Sequence, residues 1–247
     1  MLYTKEAVQA NLRNREGKRV FYLGKGDQLT SDAKDFLARE RIEVLPAQLA
    51  KKERHQLLSG GFAEEKPEHM THLNAEYLVP KTHPRIRFRG RMDTLEAELL
   101  LCQLEGSHDL QQQLGQILSL ARNILRWEVL EEPVQEATLL GLSQDELRHH
   151  SHRPQDFYGV PHFMPQASDG KVVLQLNKVR CAAREAELAA AEAFCDRDGR
   201  VTRPDILRAL NRMSSALYIL MIQEKAKMQS ASNTDLPRSA RLQCVPG

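Results

Sequence analysis

The sequence predicts a mainly α protein, an antiparallel bundle of four or five helices preceded by a small N-terminal α/β module. Three observations predict it. Strand-like runs stand in the first fifty residues, apolar residues recur at helical spacing from Pro84 onward, and 247 residues are enough to bury a sizeable core.

In the first module, expected over 1–50, Arg19-Val20-Phe21-Tyr22-Leu23 has strand character, Gly24 to Asp27 reads as a turn, and Ile42 to Pro46 forms a second strand. Gly24-Lys25-Gly26-Asp27 lacks the spacing of a phosphate loop. Between the strands a helix is expected, capped by Thr30 and packed through Ala33, Phe36 and Leu37. Residues 50 to 70 carry Lys51-Lys52-Glu53-Arg54 and Ser59-Gly60-Gly61 without an apolar period, which predicts a linker; residues 51–80 as a whole are assigned to linker and loop.

The bundle is expected over 81–228. Met92, Leu95, Leu99 and Cys102 share one face of its first helix. Leu110, Leu114, Ile117, Leu118, Ala121, Ile124 and Leu125 mark a second, capped by Ser107. Ser143-Gln144-Asp145-Glu146 has capping-box form and opens a short helix. Arg153 to Gly170, rich in Pro and Gly, reads as a long functional loop. Helices follow at about 171–195 and 203–227, the last capped by Thr202 with Asp205. The tail over 229–247 has no periodicity and is expected to be disordered.

Apolar content of 41%, charged content of 28% and a net charge of +2 describe an ordinary soluble chain and leave no strong field for nucleic acid. No apolar run approaches the roughly 20 residues of a membrane span, so no membrane role is expected and the chain is placed in the cytoplasm. Cys102, Cys181, Cys195 and Cys244 make neither a disulfide framework nor a zinc site.

Asn177, Arg180, Arg184 and Glu187 fall on one helical face, a pattern suited to a polyphosphate clamp because guanidinium groups bind phosphate oxygens in pairs. A solvated face with intrahelical ion pairs gives the same spacing. Asn211, Ser214, Ser215 and Tyr218 form a second polar stripe, which helix packing explains equally well. Asp93 interrupts an apolar neighbourhood and calls for a cationic partner, for which Arg180 is the candidate; the pair could be purely structural. His149, His150 and His152 lack accompanying carboxylates or cysteines and suit a helix end better than a metal.

These residues resemble the ATP:corrinoid adenosyltransferases of the PduO and EutT types. Thr71-His72-Leu73, then Lys81-Thr82-His83-Pro84-Arg85-Ile86, Phe88-Arg89-Gly90 and Asp93, are similar to the family's ATP-loop and first-helix signature. Asn177 to Glu187 resembles its arginine-rich helix, and Leu210 to Ser215 its last-helix motif. The ethanolamine-utilisation (EutT) branch is the nearer match, through the Leu29-Thr30 module, Gly141 to Leu147 with Ser151-His152, and Arg203-Pro204-Asp205-Ile206-Leu207.

The resemblance implies a five-helix, ferritin-like bundle and transfer of the 5′-deoxyadenosyl group of ATP to cob(I)alamin, with magnesium accompanying ATP and no protein metal site. It implies that Thr71, Lys81, Arg180, Arg184, Glu187 and Asn211 bind ATP, that Arg180 pairs with Asp93, and that His162, or Phe163 beside it, sits at the lower face of the corrin. Implied partners are ATP and the corrinoid, ethanolamine ammonia-lyase and microcompartment proteins, and further copies of the chain in a dimer or trimer with the active site between subunits. The first fifty residues are a candidate docking module. The glycine-rich loop of the propanediol-type enzymes and the adjacent cysteines of some ethanolamine-type enzymes are absent from the sequence. A non-catalytic cobalamin or nucleotide carrier on the same bundle is the alternative; an interaction or nucleic-acid module fits the near-neutral charge poorly.

Overall fold

The computed structural model describes residues 1–15, 17–47, 55–196 and 198–234, and the chain divides into two compact units, Met1–Glu68 and His69–Gly247. The protein is mainly α.

The first unit runs β1 (Leu2–Tyr3), α1 (Lys5–Ala10), β2 (Arg13–Arg15), β3 (Lys18–Leu23), β4 (Gln28–Leu29), α2 (Ser31–Arg39), β5 (Glu43–Pro46), β6 (His55–Leu57) and β7 (Phe62–Ala63). The central strand β3 pairs parallel with β5 and antiparallel with β2. Thr30 caps α2 by accepting the Ala33 N–H, and Val8, Phe21, Ala33, Phe36, Leu37 and Ile42 make one small core. The turn at Gly24 is closed from inside: the Asp27 carboxylate accepts the Gly24 N–H at 3.2 Å, so the protein's own anion occupies the loop. A Cβ on Gly24 would meet that carboxylate at 2.5 Å.

Two expectations change here. α1, built around the single buried Val8 and capped by Thr4, lies outside the expected elements. The expected linker contains a β6–β7 hairpin, because Gly60 and Gly61 adopt positive φ and Leu57 donates its N–H to the Gly61 carbonyl. Residues 48–54 of that linker lie outside the described residues.

In the second unit, β8 (Met70–His72) and β9 (Tyr77–Pro80) form an antiparallel hairpin whose turn is held by Asn74, its side-chain oxygen accepting the N–H groups of Glu76 and Tyr77. Helices α3 (Pro84–Glu105), α4 (His108–Val129), α5 (Gln144–His152), α6 (Pro154–Tyr158), α7 (Gly170–Phe194) and α8 (Pro204–Thr234) follow. Ser107 caps α4, and Ser143 with Glu146 forms the full capping box of α5. One core unites Phe88, Met92, Leu95 and Leu99 of α3, Leu114, Ile117 and Ile124 of α4, Leu176, Ala183 and Ala186 of α7, and Leu210, Met213 and Leu217 of α8.

Helices α3 and α7 are antiparallel along their whole length, as four bridges show: Arg87–Glu192, Arg91–Glu185, Lys178–Glu98 and Lys171–Glu105. The small Ala183, Ala186 and Ala190 are fully buried along α7 and leave room for the larger chains of its neighbours.

The segment expected to be all loop holds the short α6, started by Pro154 and ended by Gly159 at φ 68°. Thr202 does not cap α8; its hydroxyl donates to the Phe194 carbonyl, while Asp205 accepts the Arg203 guanidinium and the Val134 N–H. Helix α8 continues to Thr234, so the tail expected from 229 begins inside it, and residues 235–247 lie outside the described residues.

Candidate functional site

Tyr218 of α8 is the centre of a cluster that gathers three of the candidate residues, Arg180, His162 and Phe163. Its ring lies 5.9 Å from the Arg180 guanidinium carbon and stacks with His162 (5.8 Å, 9°) and Phe163 (6.4 Å, 26°). The hydroxyl stands 2.9 Å from His162 Nδ1, and His162 Nε2 is 3.2 Å from the His152 carbonyl. A carbonyl only accepts, so Nε2 carries a proton and donates to the His152 carbonyl, while Nδ1 shares its hydrogen bond with the Tyr218 hydroxyl; the ring is held at both nitrogens. Burial raises the Tyr218 phenol above its ordinary range, opposed by the Phe163 N–H and the Arg180 charge, so it remains a donor at neutral pH.

Arg180, on α7, donates twice to the Asn177 side-chain oxygen, at 3.0 and 3.3 Å. This contact is neutral, and among the described residues no carboxylate lies within 4 Å of the Arg180 guanidinium. Phe163 is fixed from below by Lys225, whose ammonium sits 4.0 Å from the ring centroid and bridges to Asp169 at 2.8 Å. Asp169 also accepts the Gln166 N–H, and these two contacts, Lys225 first, hold its carboxyl below the usual range. Two turns further along, Asn211 donates to Glu187 at 3.1 Å, with Arg184 exposed between.

Asp93 is corrected in one respect: it is exposed rather than buried, because it lies a third of a turn from the core position Met92, and no contact joins it to Arg180 among the described residues.

Thr71 and Lys81 occupy a different place. Thr71 is half-buried in β8 opposite Val79, and the Lys81 N–H donates to the His69 carbonyl. Arg89 donates to the Leu73 carbonyl at 2.6 Å, tying the hairpin to the first turns of α3. Those turns lie beside the last turns of α7, where Arg87 meets Glu192, so twelve residues of α7, about 18 Å of helix, separate that level from Arg180.

The anchor beneath the hairpin escaped the sequence reading. Glu128 of α4 has no exposure and takes Arg85 at 2.5 Å and Arg89 at 2.6 Å, one on each carboxylate oxygen. The signal was present, a glutamate one turn beyond Ile124 and beside Trp127 on the apolar face of α4. His83, the N-cap of α3, accepts the Arg85 N–H; burial first, then Arg85 and Arg89, lowers its pKa, with Glu128 opposing. Lys225 and Asp169 were also missed, and nothing in the sequence marks them as a pair.

His150 stacks on Phe157 at 3.7 Å and contacts the Tyr158 hydroxyl. Among the described residues no group of three or more His, Cys, Asp or Glu could hold a metal ion, and no helix is long and apolar enough to cross a membrane.

The profile of the cobalamin adenosyltransferase family matches residues 62–224. The chain is 40% identical over 162 residues to the corrinoid adenosyltransferases EutT of Salmonella typhimurium and of Escherichia coli K12; the match takes in 66% of this chain and 61% of each relative's length. A variant of the PduO-type ATP:corrinoid adenosyltransferase from Lactobacillus reuteri, solved complexed with cobalamin and ATP, superposes with a TM-score of 0.50 over 75% of this chain and 92% of that one at 13% identity, a likeness of fold. With its core, its arginine-bearing α7 and its Asn211 stripe inside the matched span, the chain belongs to the cobalamin adenosyltransferase family.

Proposed function

We propose that this chain transfers the 5′-deoxyadenosyl group of ATP to cob(I)alamin, forming adenosylcobalamin for ethanolamine ammonia-lyase in ethanolamine breakdown. The observation that carries the reading is the convergence on Tyr218: Arg180 meets the His162–Phe163 loop in a single cluster. The name of the relatives supports the corrinoid and ethanolamine parts of the reading.

The chemistry is an in-line displacement. Cobalt supplies the electron pair of the new cobalt–carbon bond, the bond from C5′ to the triphosphate oxygen breaks, and that pair leaves with triphosphate. No protein base is needed, so the tasks left to side chains are alignment, charge neutralisation and exclusion of water. Arg180, Arg184 and Lys81 answer the growing charge on the leaving group, with magnesium arriving on the nucleotide. Asn211 and Glu187 fix one another for the adenosine or the phosphates, and Thr71 steadies the nucleotide from the hairpin. His162, exposed at the loop surface and locked by Tyr218, stands against the lower face of the corrin with Phe163 behind it, displacing the lower axial ligand. Asp93 pairs with Arg180 across a subunit boundary.

A dimer or trimer with a shared site follows from the same reading. Its supports are the separation of Thr71 and Lys81 from Arg180 along α7, the exposed Asp93, and exposed leucines on α3 and α7, of which Leu104 and Leu188 are 78% and 71% accessible. The fold is read as a five-helix ferritin-like bundle over 81–228, joined through 51–80 to a docking module over 1–50. The chain is placed in the cytoplasm or an ethanolamine microcompartment.

Anaerobic incubation with cob(I)alamin, ATP and magnesium tests the proposal through the absorbance change of cobalt–carbon bond formation. Turnover is expected; tight binding of both substrates without bond formation would leave a carrier instead.

A further inference from the structure

Beside the start of α5 lies a cavity of about 590 Å³, lined by none of the residues of the Tyr218 cluster, into which three arginines converge: Arg148 of α5 and Arg208 and Arg212 of α8. Arg208 and Arg212 are one turn apart on the face of α8 that packs against α5. Arg212 Nε is buried and has no acceptor, although Nη1 donates to Asn211 at 2.8 Å. Among the described residues none of the three arginines has a carboxylate within 4 Å. A buried guanidinium donor without a partner is costly, and three like charges around one space add repulsion. A bound anion removes both costs.

We infer that this cavity is a binding site for a condensed phosphate, an anion of two or more phosphoryl groups, separate from the Arg180–Arg184 stripe. The volume exceeds what one phosphate fills. Guanidinium forks suit phosphate oxygens in pairs, and Ser143 at the start of the nine-residue α5 places the positive end of that helix at the cavity wall. Asp145 and Glu136 also line the space, so the three guanidinium charges exceed the two carboxylates. The Arg212 pKa is lowered by burial first and then by Arg148 and Arg208, against the opposing Asp145 and Glu187. Arg148 outweighs Asp145, and Arg208 outweighs Glu187, so Arg212 experiences its surroundings as net positive. The inference requires neither corrinoid nor adenosyl transfer and goes beyond the proposed reaction.

Calorimetric titration of the full chain with sodium tripolyphosphate, in the absence of corrinoid, tests it. Arg184→Gln weakens tripolyphosphate binding at the proposed ATP site and is expected to leave about one equivalent bound with unchanged affinity. Adding Arg148→Gln and Arg208→Gln, both at exposed positions where the fold is retained, is expected to weaken that binding at least about tenfold, the scale of losing one charge-assisted hydrogen bond. Unchanged affinity in the triple variant would overturn the proposal. So would loss of all tripolyphosphate binding in Arg184→Gln alone, an outcome that leaves the ATP reading intact. Orthophosphate binding as tightly as tripolyphosphate would overturn the condensed-phosphate assignment.

Discussion

At the start of α3 a carboxylate with no exposure is clasped between two arginines, whereas midway along α7 an arginine of the same chemistry leans on an amide and an aromatic ring. The Glu128 cluster is closed: charge meets charge inside the protein, and its consequence is a fixed hairpin. Within one chain the Arg180 cluster is open: among the described residues no carboxylate lies within 4 Å of its cation, which Asn177 and Tyr218 hold without neutralising it. Completeness of pairing separates a structural charge from one kept for a ligand, and neither burial nor residue type does so alone.

The largest expected effect breaks the closed end. Glu128→Ala takes away the buried carboxylate shared by Arg85 and Arg89, leaving Arg85 the exposed Glu131 and Arg89 the Leu73 carbonyl, and is expected to cost about 3 kcal/mol of folding stability, read from urea unfolding. A loss below about 1 kcal/mol would erase the contrast. At the open end Arg180→Ala is expected to lower adenosyl transfer by about 10²–10³-fold, the scale of removing one preorganised donor, with the unfolding midpoint unchanged. A shifted midpoint with retained activity would make Arg180 structural instead.

Finer effects sharpen the division within the open cluster. His162→Ala is expected to slow conversion of cob(II)alamin more than that of chemically reduced cob(I)alamin, and equal slowing would remove His162 from the lower face. Tyr218→Phe removes the hydroxyl bonded to His162 Nδ1 and is expected to reproduce the same imbalance at a smaller size, about fivefold for a loss near 1 kcal/mol.

The smallest effect concerns acid. Asp205 is drawn down from 3.8 to about 2 by Arg203 and by the Val134 and Ile206 N–H groups, against the opposing effect of burial. A depressed carboxyl stabilises the fold above its unfolded value, and that stability is lost as pH falls from 3.8 toward 2. His83 has the same sign at higher pH: its lowered value makes stability fall as pH drops below 6.5. Asp205→Asn is expected to flatten the acid limb below pH 4 and leave the His83 limb in place in pH-dependent unfolding curves.

What was legible in the sequence was local. Thr30, Ser107 and the Ser143–Glu146 box announce their helices within four residues, and Met92, Leu95, Leu99 and Cys102 repeat at the helical period, so these elements needed only neighbouring positions to be read. The stripe from Asn177 to Glu187 was readable for the same reason. Contacts that join distant positions were not. Arg85 finds Glu128 across 43 residues and His162 finds Tyr218 across 56, and no spacing rule reaches that far. Asp93 was misjudged because an apolar neighbourhood in sequence is not an apolar neighbourhood on a helix, where one step turns a side chain by about 100°. Val8 alone could not signal α1, and Gly60-Gly61 reads equally as linker or hairpin turn until its partner strand is known.

The loop that carries His162 and Phe163 is pinned along its length: His162 to Tyr218 and His152, Phe163 beneath Lys225, Asp169 to Lys225 and Gln166. Its exit is fixed as well, since Gly170 takes φ +79° and a Cβ there would press on Met228 at 3.3 Å. A wall built this way loses its ordering entropy once, when the chain folds, and not at every encounter with a guest. Loop closure is then no candidate for the slow step of a turnover cycle, and any viscosity dependence at saturating substrate should come from product release.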